Sequence, residues 1–229
     1  MKQIVNYINE KLHITSKQQY SCQPKTKREL RSIIIERIEE DGNECDLNDI
    51  DVSNITDMSE LFDADDNEIF KDFNGDISLW NVSNVTNMWC MFYGCKKFNC
   101  DISNWDVSNV ENMERMFCKC KEFNCDLSKW DVSNVKNMEA MFFKCEHFNG
   151  YISNWNVSHV TNMERMFLEC SEFNCDLSQW DVSNVKNMMG MFFKCKKYNY
   201  DLSKWDVSNV EEMTNAFEYC PIQPKWYED

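Results

Sequence analysis

One phrase recurs along most of this chain at a fixed period. Trp80, Trp105, Trp130, Trp155, Trp180 and Trp205 each stand 25 residues from the last, without insertion or deletion. A degenerate copy precedes them: DLNDIDVSNITDMSELF carries Ile50 in the tryptophan's place, and five extra residues then separate it from Trp80. A strict period of this length restricts a chain to architectures in which each unit is a coil stacked on the next, because one unit alone cannot bury its apolar face.

The invariant columns are apolar, as a stacked core requires. Met113, Met116 and Phe117 recur as Met138, Met141 and Phe142, then as Met163, Met166 and Phe167. Their i, i+3, i+4 spacing predicts a short helix in each unit. Asn112, Asn137, Asn162 and Asn187 stand where a side chain would cap it. In the other half, FNCDLSKWDVSNV, Phe123, Leu127 and Trp130 are the anchors, and Cys125 to Trp130 predicts a strand pairing with its neighbours. The expected fold is therefore an α/β repeat solenoid, leucine-rich-repeat-like. Each coil would be a short strand plus a short helix, with a parallel sheet along one face.

Three regions follow: a helical N-terminal cap over 1–45, a solenoid of about seven repeats over 46–220 with an acidic insertion near 63–72, and a C-terminal cap or tail over 221–229. Thr26 and Glu29 form a capping-box pattern opening RELRSIIIERIEE, whose Leu30, Ile33 and Ile34 would cover the first coil, and Asp41-Gly42-Asn43 ends it. Pro221 and Pro224 forbid another helical turn, leaving Trp226 to cover the last coil.

The net charge of −15 bears on partners. Residues 46–76 hold eleven acids and one base, so most of the acidity is local, and nucleic acid would be repelled. No run approaches the length of a membrane span, and the polar N-terminus lacks the apolar stretch of a secretory signal. A cytoplasmic monomer is expected, or a surface or secreted protein if a leader was removed. The thirteen cysteines fall mostly into a repeat column, so reduced thiols packed as small apolar groups are expected rather than disulfides or zinc ligands.

The phrase WDVSNVxNMxxMFxxCxxFNxDLSx resembles the repeat of the BspA-like leucine-rich-repeat surface proteins, including the Mycoplasma-type lipoprotein-associated repeat. The resemblance covers about residues 46–220. It implies a leucine-rich-repeat-like scaffold used in binding or adhesion, and it brings no catalytic residues and no cofactor.

The search for chemistry agrees with that absence. His13, His147 and His159 are scattered without a nucleophile beside them, so no enzyme is expected. Any function should lie where letters vary while the scaffold holds. Those columns nominate Asn104, Lys129, Gln179 and Lys204, then Glu111, Lys136 and Lys186, then Arg115 and Arg165, as a polar face for a protein or glycan partner. A second possibility is a calcium-stabilised rod using Asp ladders, with Asp101, Asp106, Asp126 and Asp131 as weak candidates against the commoner turn-bonding role of such residues. The coil from Trp105 matches that from Trp155 at 18 of 25 positions but its neighbour from Trp130 at 16, so surface features should alternate in pairs of coils.

Overall fold

The computed structural model describes residues 20–227. Among them, one α-helix, α1 (Lys27–Asp41), precedes a stack of coils built almost wholly from turns, with one 3-10 turn at Glu68–Phe70 in the acidic insertion. The α/β solenoid expectation is thereby overturned. No unit carries a helix, and in place of a sheet there is a line of isolated parallel bridges running Asp57, Asn87, Asn112, Asn137, Asn162, Asn187, Glu212.

The hydrogen bonds explain why the methionine segment does not become helical. Met113, Arg115, Phe117 and Lys119 donate their backbone N–H groups to Asn137, Glu139, Met141 and Phe143 of the next coil, at 2.7–3.0 Å. The intervening Met116, Cys118 and Cys120 donate three residues back, to Met113, Arg115 and Phe117. A helix would spend every donor within itself and leave none to join coils. Alternation between turn and stack instead requires positive φ at Arg115 (56°) and Lys119 (64°), and the same two columns repeat it at Ala140, Lys144, Arg165, Glu169 and Lys194. Successive tight turns place residues i, i+3 and i+4 on one side much as a helix does. The inward face was read correctly while the backbone was not.

The predicted strand also dissolves into turns. Trp130 N–H donates to Leu127 O within the segment, and coil-to-coil links there run through side chains. Trp130 Nε1 donates to Ile102 O (3.1 Å), and Asn124 N–H donates to Asn99 Oδ1 (2.8 Å), a pattern repeated at each junction from Asn99 to Asn199. A buried indole N–H needs an acceptor, and the stack supplies one.

The core is a set of parallel columns. Phe117 stacks on Phe123 at 4.0 Å within its coil and on Phe142 at 5.7 Å in the next. Trp130 lies nearly parallel to Trp155 at 6.4 Å. The valine, methionine and phenylalanine columns are fully buried over the central coils. Each buried large side chain contributes about 1.5–3 kcal/mol relative to exposure.

The first end is closed by α1. Thr26 caps it, accepting from Glu29 N–H, and Gly42 terminates it at φ 85°. Its buried side chains are Leu30, Ile34 and Ile38; Ile33, expected to cover the coil, is only partly buried. Lys27 reaches Asp57 and Ser59, and Arg37 reaches Asp49, fixing the helix to the first coil. Residues 1–19 of the expected N-terminal cap, His13 with them, lie outside the described residues, as do 228–229.

Candidate functional site

The variable columns are largely engaged, some across coil junctions and some with a neighbour in the same coil. Lys136 pairs with Glu111 (2.6 Å), Lys186 with Glu211 (3.6 Å), and Arg115 with Glu139 (2.5 Å) and Glu114 (3.2 Å). Arg165 pairs with Glu164 (3.0 Å), Lys129 donates to Asn104 Oδ1 (2.9 Å), and Gln179 donates to Ser178 (3.2 Å). Lys204 is exposed. Exposed pairs of this kind contribute only about 0–1 kcal/mol each, so they leave the side chains available to a partner.

The nominated residues divide between two places. Asn104 and Lys129 line a shallow depression of about 270 Å³ with Trp105, Asp106 and Asp131. Arg115 and Arg165 line another, of about 250 Å³, with Tyr93, Glu139, Ala140 and Phe143. The two share no lining residue; Glu111, Lys136, Gln179, Lys186 and Lys204 belong to neither.

The second depression contains what sequence reasoning missed. Tyr93, Phe143 and Phe193 follow the buried phenylalanine of their coils, are only partly buried, and recur every 50 residues. Cys118 and Leu168 hold the same column in the intervening coils, which makes the aromatic side chains ridges and the smaller ones the hollows between them. A lysine lies over each ring: Lys119 at 4.5 Å from Tyr93, Lys144 at 5.3 Å from Phe143 and Lys194 at 5.0 Å from Phe193. The next hollow is lined by Arg165, Leu168, Met189, Gly190 and Phe193. The signal was present in FYGC, FFKC and FFKC set against FCKC and FLEC, where a second aromatic appears in alternate units with no place in the core pattern.

Charge is tuned along this face. Burial alone would lower Arg115, but Glu139 and Glu114 outweigh it and hold its pKa above the ordinary value. Burial would raise Glu169, yet Lys194 and Lys144 hold it below the usual carboxylate range.

The weak calcium candidates are occupied in turns. Asp101, Asp106, Asp126 and Asp131 each accept the backbone N–H two residues on, from Ser103, Ser108, Ser128 and Ser133, at 2.9–3.1 Å. Among the described residues no three His, Cys, Asp or Glu side chains converge as metal ligands. The cysteine column is buried, and Cys120, Cys145, Cys170 and Cys195 point their thiols at Phe92, Phe117, Phe142 and Phe167 carbonyls. Burial lifts these thiols well above their ordinary pKa, which removes them as nucleophiles. His159 takes the place of a column asparagine, its Nδ1 lying 2.7 Å from Ser133 O, and His147 lies beside Glu122.

These features define a repeat protein whose coils are joined backbone to backbone. Residues 34–149 and 120–225 match the family described as Mycoplasma protein of unknown function, DUF285, and the chain belongs to that family. No curated protein and no solved structure matches the chain. Among the described residues, no helix is long and apolar enough to cross a membrane.

Proposed function

We propose that the chain is a non-catalytic repeat scaffold whose lateral face, ridged by Tyr93, Phe143 and Phe193, binds a protein or glycan partner. The observation that carries this reading is the alternation of half-buried aromatic rings with hollows over Cys118 and Leu168, each ring flanked by a lysine. Aromatic side chains and arginine are the groups enriched at binding interfaces, and Arg115 and Arg165 line the hollow beside Tyr93 and Phe143. The resemblance of the repeat to BspA-like surface proteins supports adhesion as the setting. The tie-up of the carboxylates in turns and of the thiols in the core supports a scaffold over an enzyme.

Affinity capture from cells that produce the protein, compared between the native chain and a Phe143→Ser, Phe193→Ser variant of unchanged fold, tests the reading. Partners should be lost from the variant at matched protein levels. An identical captured set would refute the assignment of this face.

A further inference from the structure

Charge is sorted around the stack. Over residues 80–220, the stretch of each coil that runs from the Glu114 position to the Glu122 position holds ten Lys and Arg against eight Asp and Glu, while the rest holds four against eleven. In a chain of net charge −15, cations therefore gather on the side where the rings of Tyr93, Phe143 and Phe193 emerge. They also stand outward of their partners. Glu114, Glu139 and Glu164 are only 16–20% exposed, each accepting from the side-chain amide of Asn137, Asn162 or Asn187 at 2.9–3.2 Å. Arg115, Lys144, Arg165 and Lys194 are 38–44% exposed. Glu169 sits between Lys144 and Lys194 and pairs with both, and Lys119 meets an exposed acid, Asp65.

Two columns of this face alternate together. One holds Arg115, Ala140, Arg165 and Gly190, the other Cys118, Phe143, Leu168 and Phe193, so a coil pairs an arginine with a smaller apolar residue or a ring with alanine or glycine. The result is two depressions, about 250 Å³ over Cys118 and about 200 Å³ over Leu168, with Arg165 lining both. Parallel backbone bridges join the coils along this same stretch, so neighbours lie ~4.8 Å apart and the hollows, two coils apart, ~9.6 Å apart. That distance selects the shape of an occupant. An extended peptide presents same-side residues about 6.7 Å or about 13.4 Å apart and misses it on either side. An α-helix returns a side chain to one face after seven residues and about 10.5 Å. Flanks that meet outward cations are matched by carboxylates.

We propose that this face docks an α-helix of another protein, with an apolar side chain at every seventh residue seated over Cys118 and Leu168 and carboxylates beside that stripe facing Arg115, Lys144, Arg165 and Lys194. The inference rests on the lateral-face reading above and adds the shape and charge of the partner.

Fluorescence anisotropy of labelled helical probes with the full chain tests it. The first probe is an alanine-rich peptide of about three heptads with leucine at every seventh position and glutamate on both sides of that stripe. A basic control has lysine for glutamate, and a scattered control distributes the leucines around the helix. The acidic probe should bind, with each control at least about tenfold weaker. Cys118→Phe with Leu168→Phe, which fills both hollows with the ring of the alternate coils, should weaken it about tenfold at unchanged melting temperature. Lys144→Gln with Arg165→Gln should do the same and flatten the salt dependence of binding. No binding of the acidic probe, equal binding by either control, indifference to the hollow-filling pair, or tighter binding of a soluble polyuronate chain would overturn the proposal. If the Phe143→Ser, Phe193→Ser variant loses its captured partners while the acidic probe fails to bind, the lateral face stands and the helix is wrong.

Discussion

Lys144 sits at φ 59°, a conformation that favours glycine, and the equivalent position in another coil is Gly94 at φ 75°. A side chain pays roughly 1–2 kcal/mol for that backbone, somewhat more than the about 0.5–1 kcal/mol glycine loses through its greater unfolded-state freedom. Lys144→Gly should therefore leave thermal stability unchanged or raise it. A helical residue there would lose about 1 kcal/mol on the same substitution, so a clear fall in the urea midpoint would contradict the turn geometry. Tyr198 raises a different point, since its column is otherwise Phe73, Phe98, Phe123, Phe148 and Phe173, and its buried hydroxyl has no hydrogen-bond partner among the described residues. Tyr198→Phe should stabilise the protein by about 1 kcal/mol, measured by urea denaturation, and a loss would mean that the hydroxyl is satisfied.

At the scale of the coil, apolar position was readable and backbone conformation was not. Methionine and phenylalanine at i, i+3, i+4 have the same inward consequence in a helix and in a run of tight turns, so periodicity could not separate them. What decides is the competition for N–H groups between the unit and its neighbour, which is a property of the stack and not of a local segment. The tryptophan column was readable as to burial, whereas the asparagines that read as helix caps close turns instead, Asn112 Oδ1 accepting from Glu114 N–H. The corner aspartates were readable as turn formers.

Those corners also carry a pH dependence. Hydrogen bonds from the Ser133 and Ser183 hydroxyls and N–H groups hold Asp131 and Asp181 below the usual carboxylate range. A depressed folded pKa contributes stability that is present above the unfolded value, near 4, and is lost as pH falls through the lower folded value. Asn81 and Asn156 make the same turn bond without a charge. The variant Asp131→Asn, Asp181→Asn should thus show a smaller drop in urea midpoint between neutral pH and about pH 3 than the native chain. Equal drops would show that these carboxylates do not contribute.

For the whole molecule, the sequence located most of the variable columns but not the surface they make. Arg115 and Arg165 were nominated from the sequence and line one depression, while Tyr93, Phe143 and Phe193 were not nominated, because an aromatic residue next to a core phenylalanine reads as more core until the stack turns it outward. Pairwise alternation of coils was visible in self-comparison and reappears as ridges and hollows 50 residues apart. The cross-coil ion pairs explain why charges of opposite sign occupy successive places in one column, as at Glu111 and Lys136.

The account rests on a division between columns that build the stack and columns free to bind. Thermal unfolding of two variants tests it directly: one carrying Lys129→Ala, Lys136→Ala, Gln179→Ala, Lys186→Ala and Lys204→Ala together, the other carrying Phe142→Ala alone. The single core change should cost about 3–5 kcal/mol, and the five surface changes together should lower the melting temperature by clearly less. A surface variant that melts as low as the core variant would show that the changing columns hold the fold, and the division would be wrong.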